Sequence, residues 1–259
     1  MSLAVLLGSM SLQMKRSFVR PMFRFCLIAN PVLNTILLYE MYRGAGEKNF
    51  LAYVVLGAGL MGLWSCICFS SAGDINRERY SGTLSLIFAT PSSFPFIILG
   101  KIVGNMLLSL LTLAISLLTA LLLFHVPLRL ESPGYFLLAL LGAVLTFIVI
   151  SSVIACLLTL SRKTELYMNC IEIPIILLCG FVFPVTILPE AVRVLSYALS
   201  PTWAVELLRM AVWGVTEPAL FWKDFGIMLG ITAVYALMSA LLYRKIDRRV
   251  RVTASLEVA

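Results

Sequence analysis

The chain has 259 residues, of which 61% are hydrophobic and 13% charged, and its mean hydropathy is +0.99. Soluble domains are about 45–50% apolar and about 25% charged, so a water-soluble fold is excluded and a bilayer is the solvent that accepts such a chain. In a soluble protein a net charge of +7 would hint at nucleic acid; here it has a topological explanation, and no nucleic-acid partner is expected.

The N-terminal stretch is apolar, but basic residues follow it instead of preceding it, so no secretory signal peptide is evident. Ser9, Gln13, Arg16 and Arg20 recur at helical spacing, with Leu6, Met10, Met14 and Phe18 as an apolar stripe beside them. This predicts an amphipathic helix over residues 1–21 lying on the cytoplasmic surface. Pro21 marks the turn into the membrane.

A membrane span needs about 20 apolar residues. Residues 51–71, 102–124, 135–160 and 225–243 are clear runs. Residues 25–39 form a shorter one, with Arg24 and Glu40 at its ends positioned to snorkel to the headgroups. Residues 166–188 are interrupted by Glu172, Pro174 and Pro184 and are expected to be one span that breaks near its far end. The expected fold is therefore an all-α integral membrane protein with six transmembrane helices in a single domain over residues 1–259. With the N-terminus inside, fourteen of the 20 lysines and arginines fall on the cytoplasmic side, which places both termini in the cytoplasm.

Two connecting segments stand out. Residues 73–95 carry Asp74, Arg77, Glu78 and Arg79, then Gly82, Thr83 and Leu84, and predict a cytoplasmic loop with a short amphipathic helix and a turn. Residues 181–223 are broken by Pro184, Pro189 and Pro201 into short amphipathic pieces expected to dip into the outer leaflet from outside. Gly100 and Gly104 have the spacing that lets helices approach closely, within the chain or between copies.

Enzyme chemistry is not indicated. There is no H-E-x-x-H, no G-x-S-x-G and no P-loop. The single His125 reads as a boundary polar residue, and the six cysteines read as small buried apolar residues. Glu172 is the acid that lies well inside an apolar run, where an ionisable group is costly and marks function or an interface. A snorkelling or structural role, with a hydrogen bond to Asn169, is the alternative.

Glu78-Arg79-Tyr80-Ser81-Gly82-Thr83-Leu84, followed by Thr90-Pro91 and Gly100-Lys101, resembles the cytoplasmic loop of permease subunits of type-2 ATP-binding-cassette exporters. Gly180 to Pro184, then Leu188-Pro189, Pro201 and Arg209, is similar to the late signature of the same family. Ser85 departs from the pattern, where many relatives carry Glu, and bears on the ATPase contact. The resemblance implies a dimer of permeases above two ATPase subunits, with ATP and Mg held by those partners and no cofactor on this chain. It implies coupling to the ATPase through Arg77, Glu78, Arg79, Gly82, Thr83 and Leu84. It also implies a re-entrant outer gate with Pro184, Pro189, Pro201 and Arg209, whose prolines end the helical pieces and whose Arg209 pairs with Glu190 or Glu206. Export of an amphipathic drug, peptide or lipid across a bacterial plasma membrane is the expected activity. Glycan export, or a secondary transporter or channel using Glu172, are the alternatives.

Overall fold

The computed structural model describes residues 2–43, 50–82, 94–124, 130–159 and 164–253, and within them it contains helices and no strand. In chain order these are α1 (Ser2–Val19), α2 (Pro21–Arg24), a π-helical turn (Phe25–Ala29), α3 (Asn30–Arg43), α4 (Phe50–Tyr80), α5 (Phe94–Ser109) and α6 (Leu111–Phe124). There follow α7 (Pro133–Thr159), α8 (Thr164–Leu178), a 3-10 turn (Val185–Ile187), α9 (Glu190–Ala198), α10 (Ser200–Trp213) and α11 (Pro218–Thr253).

Four helical stretches among the described residues are long and apolar enough to cross a membrane: Pro21–Arg43, Pro95–Phe124, Pro133–Leu158 and Pro218–Ile246. The first includes both snorkelling positions expected from the sequence. Arg20 is extended and Pro21 opens the helix, where its missing N–H costs nothing. Further along, Pro31 cannot donate to the turn before it, and the π-helical turn at Phe25–Ala29 lies at that point.

The chain departs from expectation after residue 71. α4 does not stop there; it continues as one helix of 31 residues to Tyr80. Asp74, Arg77 and Glu78 thus lie on the extension of an apolar helix, not in a loop. The helix ends where Ser81 N–H returns to the Arg77 carbonyl at 2.8 Å and Gly82 takes φ +69°, a left-handed cap that favours glycine. The fifth run also ends early. α8 stops at Leu178, and Gly180 at φ +72° reverses the chain well before residue 188. Lys223 belongs to α11 and not to the preceding connection.

α4 is the hub, packing against α3, α5, α6, α7, α8 and α10. Lipid tails give no hydrophobic drive for helices to associate, so close packing and hydroxyl hydrogen bonds hold the bundle. A Cβ on Gly59 would lie 2.6 Å from Leu113, and one on Gly57 2.6 Å from the Phe181 carbonyl. Thr112 donates to the Gly59 carbonyl at 2.9 Å and Ser116 to the Val55 carbonyl at 3.0 Å. Thr146–Thr232 (3.0 Å) and Ser152–Ser239 (2.8 Å) join α7 to α11. Trp64, Phe147, Phe181 and Leu208 are fully enclosed at the centre, whereas Leu137, Leu141, Val234 and Leu237 point outward, as a lipid-facing surface requires.

Candidate functional site

The charged end of α4 is built into the chain. Asp74 accepts hydrogen bonds from Arg20 and Gln13, and from Asn105 Nδ2 at 3.2 Å. Ser17 Oγ donates to Asn105 Oδ1 at 2.6 Å. Glu78 pairs with Lys101 and lies 3.9 Å from Arg16. Gln13, Ser17, Asp74, Glu78, Lys101 and Asn105 are all buried. They come from α1, α4 and α5, and a small recess opens between Asp74, Glu78, Lys101 and Asn105. Two acids therefore face two basic groups at a largely buried junction, and pairing is the condition under which buried charge is tolerated.

This arrangement corrects the reading of α1. Its polar residues Gln13 and Ser17 turn inward, while Leu3, Leu7, Leu12 and Phe18 are exposed. Gly100 and Gly104 supply the reason. A Cβ on Gly100 would lie 2.7 Å from the Leu6 carbonyl oxygen, and one on Gly104 2.8 Å from that of Met10. The small-residue spacing is a groove for α1 within the same chain, and Asn105 beside it receives the polar residues.

Of the six residues expected to meet the ATPase, Glu78 is enclosed by its own chain. Arg77 and Gly82 are exposed, as are Tyr80 and Ser81. Thr83 and Leu84 lie outside the described residues, as does His125, and the side chain of Arg79 is not among those described.

At the other end of the bundle, α9 and α10 form a helical pair. The prolines begin helices here; they do not end them. Pro189 caps α9, and Pro201 sits in the first turn of α10, where fixed φ and a missing donor suit a helix start. Pro184 precedes the 3-10 turn. α10 is mostly buried, and Thr202 Oγ1 donates back to the Ser196 carbonyl at 2.6 Å.

Arg209 is 3% exposed and forms no ion pair with Glu190, which pairs with Arg193 at 3.7 Å. Instead its Nη2 donates to the Phe181 carbonyl at 3.0 Å, and its guanidinium lies 4.3 Å from the centre of the Tyr53 ring. Tyr42 donates to the adjacent Val182 carbonyl at 2.6 Å. One cation and one phenol thereby hold the reversal after α8 against the ends of α3 and α4. Burial lowers the guanidinium to about 10, still charged at neutral pH. One turn away, burial and the facing Asp224 raise the Glu206 carboxyl to about 7, against the opposing effects of Arg209 and Tyr197. Asp224 is itself buried, in the second turn of α11, so Glu172 is not alone among acids in apolar surroundings.

Glu172 receives Ser65 Oγ at 2.5 Å, and its backbone carbonyl receives Trp64 Nε1 at 3.3 Å. Its partner lies on α4, across the helix interface; the side chain of Asn169 is not described. Cys170 corrects the cysteine reading: it is exposed, whereas the other five are buried.

A family model described as "ABC-2 type transporter" matches residues 4–213, from α1 to the end of α10, and so spans the polar junction, Glu172 and the Arg209 contacts. The chain belongs to the ABC-2 type transporter family. It is a permease subunit of an ABC transporter, a multi-pass membrane protein whose partners are ABC ATPase subunits. A comparison with curated proteins gives no match. In this permease, Ser17 and Asn105 escape the sequence reading, and Gln13 enters it only as part of a surface stripe. The available signal was a Gln and a Ser one turn apart, together with an Asn set inside an otherwise apolar run.

Proposed function

We propose that this permease subunit exports an amphipathic small molecule, drug, peptide or lipid, and that ATPase movement enters it through α1 and the charged end of α4. The observation that carries the reading is the unbroken α4. It runs from Phe50 to Tyr80 with Asp74 and Glu78 pinned to α1 and α5 by buried charge pairs. A continuous helix whose exposed tip lies beyond such a junction passes displacement into the bundle, because packed elements shift as units and do not bend.

In this reading Arg77, Arg79, Gly82, Thr83 and Leu84 meet the ATPase, which binds ATP and Mg. Glu78 acts one step back, by fixing the tip through Lys101 and Arg16. The chain has six spans, with α4 and α8 added to the four longest apolar stretches, and both termini lie in the cytoplasm of a bacterial cell. Two permeases pair, and α9 and α10 cap the pathway on the outside as a re-entrant pair. The tight hold of Arg209 on the Phe181 carbonyl supports a cap that opens only when the spans move.

Purification from the native membrane in mild detergent, followed by mass spectrometry, tests this. The chain is expected to bring an ABC ATPase subunit with it. Gly82→Pro is expected to lose that subunit while still inserting, because proline cannot adopt φ +69°. Equal recovery of the ATPase with both forms would overturn the coupling assignment.

A further inference from the structure

Resting on the permease reading above, we infer that Glu172 binds the positively charged group of the transported molecule, which makes amphipathic cations the substrate class. Residues 172, 175 and 176 fall on one side of α8 at helical spacing, and Cys179 follows on the same side just past its end. Ile175, Ile176 and Cys179 on that side pack against the apolar core. Cys170, Ile173, Pro174 and Leu177 lie on the opposite, exposed side. The Glu172 carboxylate thus points into the seam between α8 and α4, yet the residue remains partly exposed.

Among the described residues its partners leave it incomplete. A carboxylate offers two oxygens and about four acceptor positions. Ser65 Oγ occupies one of them, on Oε1, and is a neutral donor. Among the described residues no lysine or arginine lies within ion-pair distance of Glu172. Asp74 has Arg20, Glu78 has Lys101, Glu40 has Arg43 and Glu190 has Arg193. Besides Ser65, the thiols Cys26, Cys66 and Cys68 on the π-helical turn and α4 lie within reach of the Glu172 charge. An acid in such a place is costly unless something pairs with it. A molecule with one cationic group and an apolar body supplies both what the carboxylate lacks and what the apolar seam between α8 and α4 accepts. An anion of the same shape would be repelled.

The test is equilibrium binding of radiolabelled tetraphenylphosphonium to the full-length chain in lipid nanodiscs, with tetraphenylborate as the anionic counterpart. Saturable binding of the cation is expected. Glu172→Gln, which keeps shape and removes charge, is expected to weaken it about tenfold or more, as loss of one partner from a shielded charge pair does. Glu172→Asp is expected to retain affinity within about threefold, since the charge is kept; this separates a charge requirement from a structural one. Absence of saturable binding to the native chain, equal affinity in Glu172→Gln, or equal binding of the anion would each overturn the inference. Because binding is read without ATP, its success beside a failure to recover any ATPase would refute the coupling assignment and leave the Glu172 site standing.

Discussion

Glu78→Ala is expected to be among the most damaging single substitutions in this protein. It leaves Lys101 as a buried charge without its carboxylate, and breaking a buried pair from one side costs about 3–5 kcal/mol. The two side chains are 5% and 11% exposed, so water relieves little of that cost. Arg16, 3.9 Å from Glu78, is itself a cation and cannot replace the lost carboxylate. The midpoint of thermal unfolding in detergent should fall and recovery of the ATPase should drop with it. Replacing both partners, as Glu78→Met with Lys101→Met, should recover most of the stability, because paired removal leaves no orphan charge. If Glu78→Ala unfolds like the native chain, the Glu78–Lys101 pair is not what holds the end of α4.

Gly104→Leu should release α1. A Cβ at Gly104 meets the Met10 carbonyl oxygen at 2.8 Å and Met10 Cα at 3.4 Å. Both are backbone atoms, so no side chain can rotate away and the helix itself must move. Overpacking of this kind costs about 1–3 kcal/mol, and the displacement would also pull Gln13 and Ser17 from Asn105. Trypsin cleavage after Lys15 and Arg16 is the readout and should accelerate about tenfold, following the population of the open form. Gly226→Leu is the matched control, since nothing lies within 4 Å of a Cβ there. Equal cleavage rates in the two variants would remove Gly104 from the α1 interface.

These two substitutions mark where sequence reading stopped. Three of the four clear apolar runs, together with the shorter run at residues 25–39, coincide with the four long apolar stretches because length and hydropathy are local properties of the chain, while the run at 51–71 is not among them. The end of α4 was misread because Asp74, Arg77, Glu78 and Arg79 look like a solvated loop. The carboxylates of Asp74 and Glu78 are matched by Arg20 and Lys101, which are distant from them in sequence. Periodicity offers Leu6, Met10, Met14 and Phe18 as the apolar stripe of α1, but of these only Phe18 is exposed and the backbone at Leu6 and Met10 lies against Gly100 and Gly104; the glycine groove of α5 and Asn105 decide which side goes inward. For Arg209 the sequence offered the carboxylates Glu190 and Glu206. The structure pairs it with a backbone carbonyl at Phe181, a partner that residue identity cannot reveal. Gly82 was legible as a motif member, and its physical role, a left-handed helix cap, became visible only with the backbone.

The central claim is that the ATPase moves the spans through the α1–α4–α5 junction. Cys170 offers a direct test that needs no knowledge of the substrate. It is exposed, while the other five cysteines are buried, and α8, which carries it, packs on α4. The measurement is the rate of Cys170 labelling by a small maleimide in the purified permease–ATPase complex, with and without a non-hydrolysable ATP analogue and Mg. ATP analogue is expected to change the rate in the native complex, and Asp74→Asn, which weakens the hold of Arg20 on α4, is expected to blunt that change. A labelling rate indifferent to nucleotide, or an undiminished response in Asp74→Asn, would contradict the account.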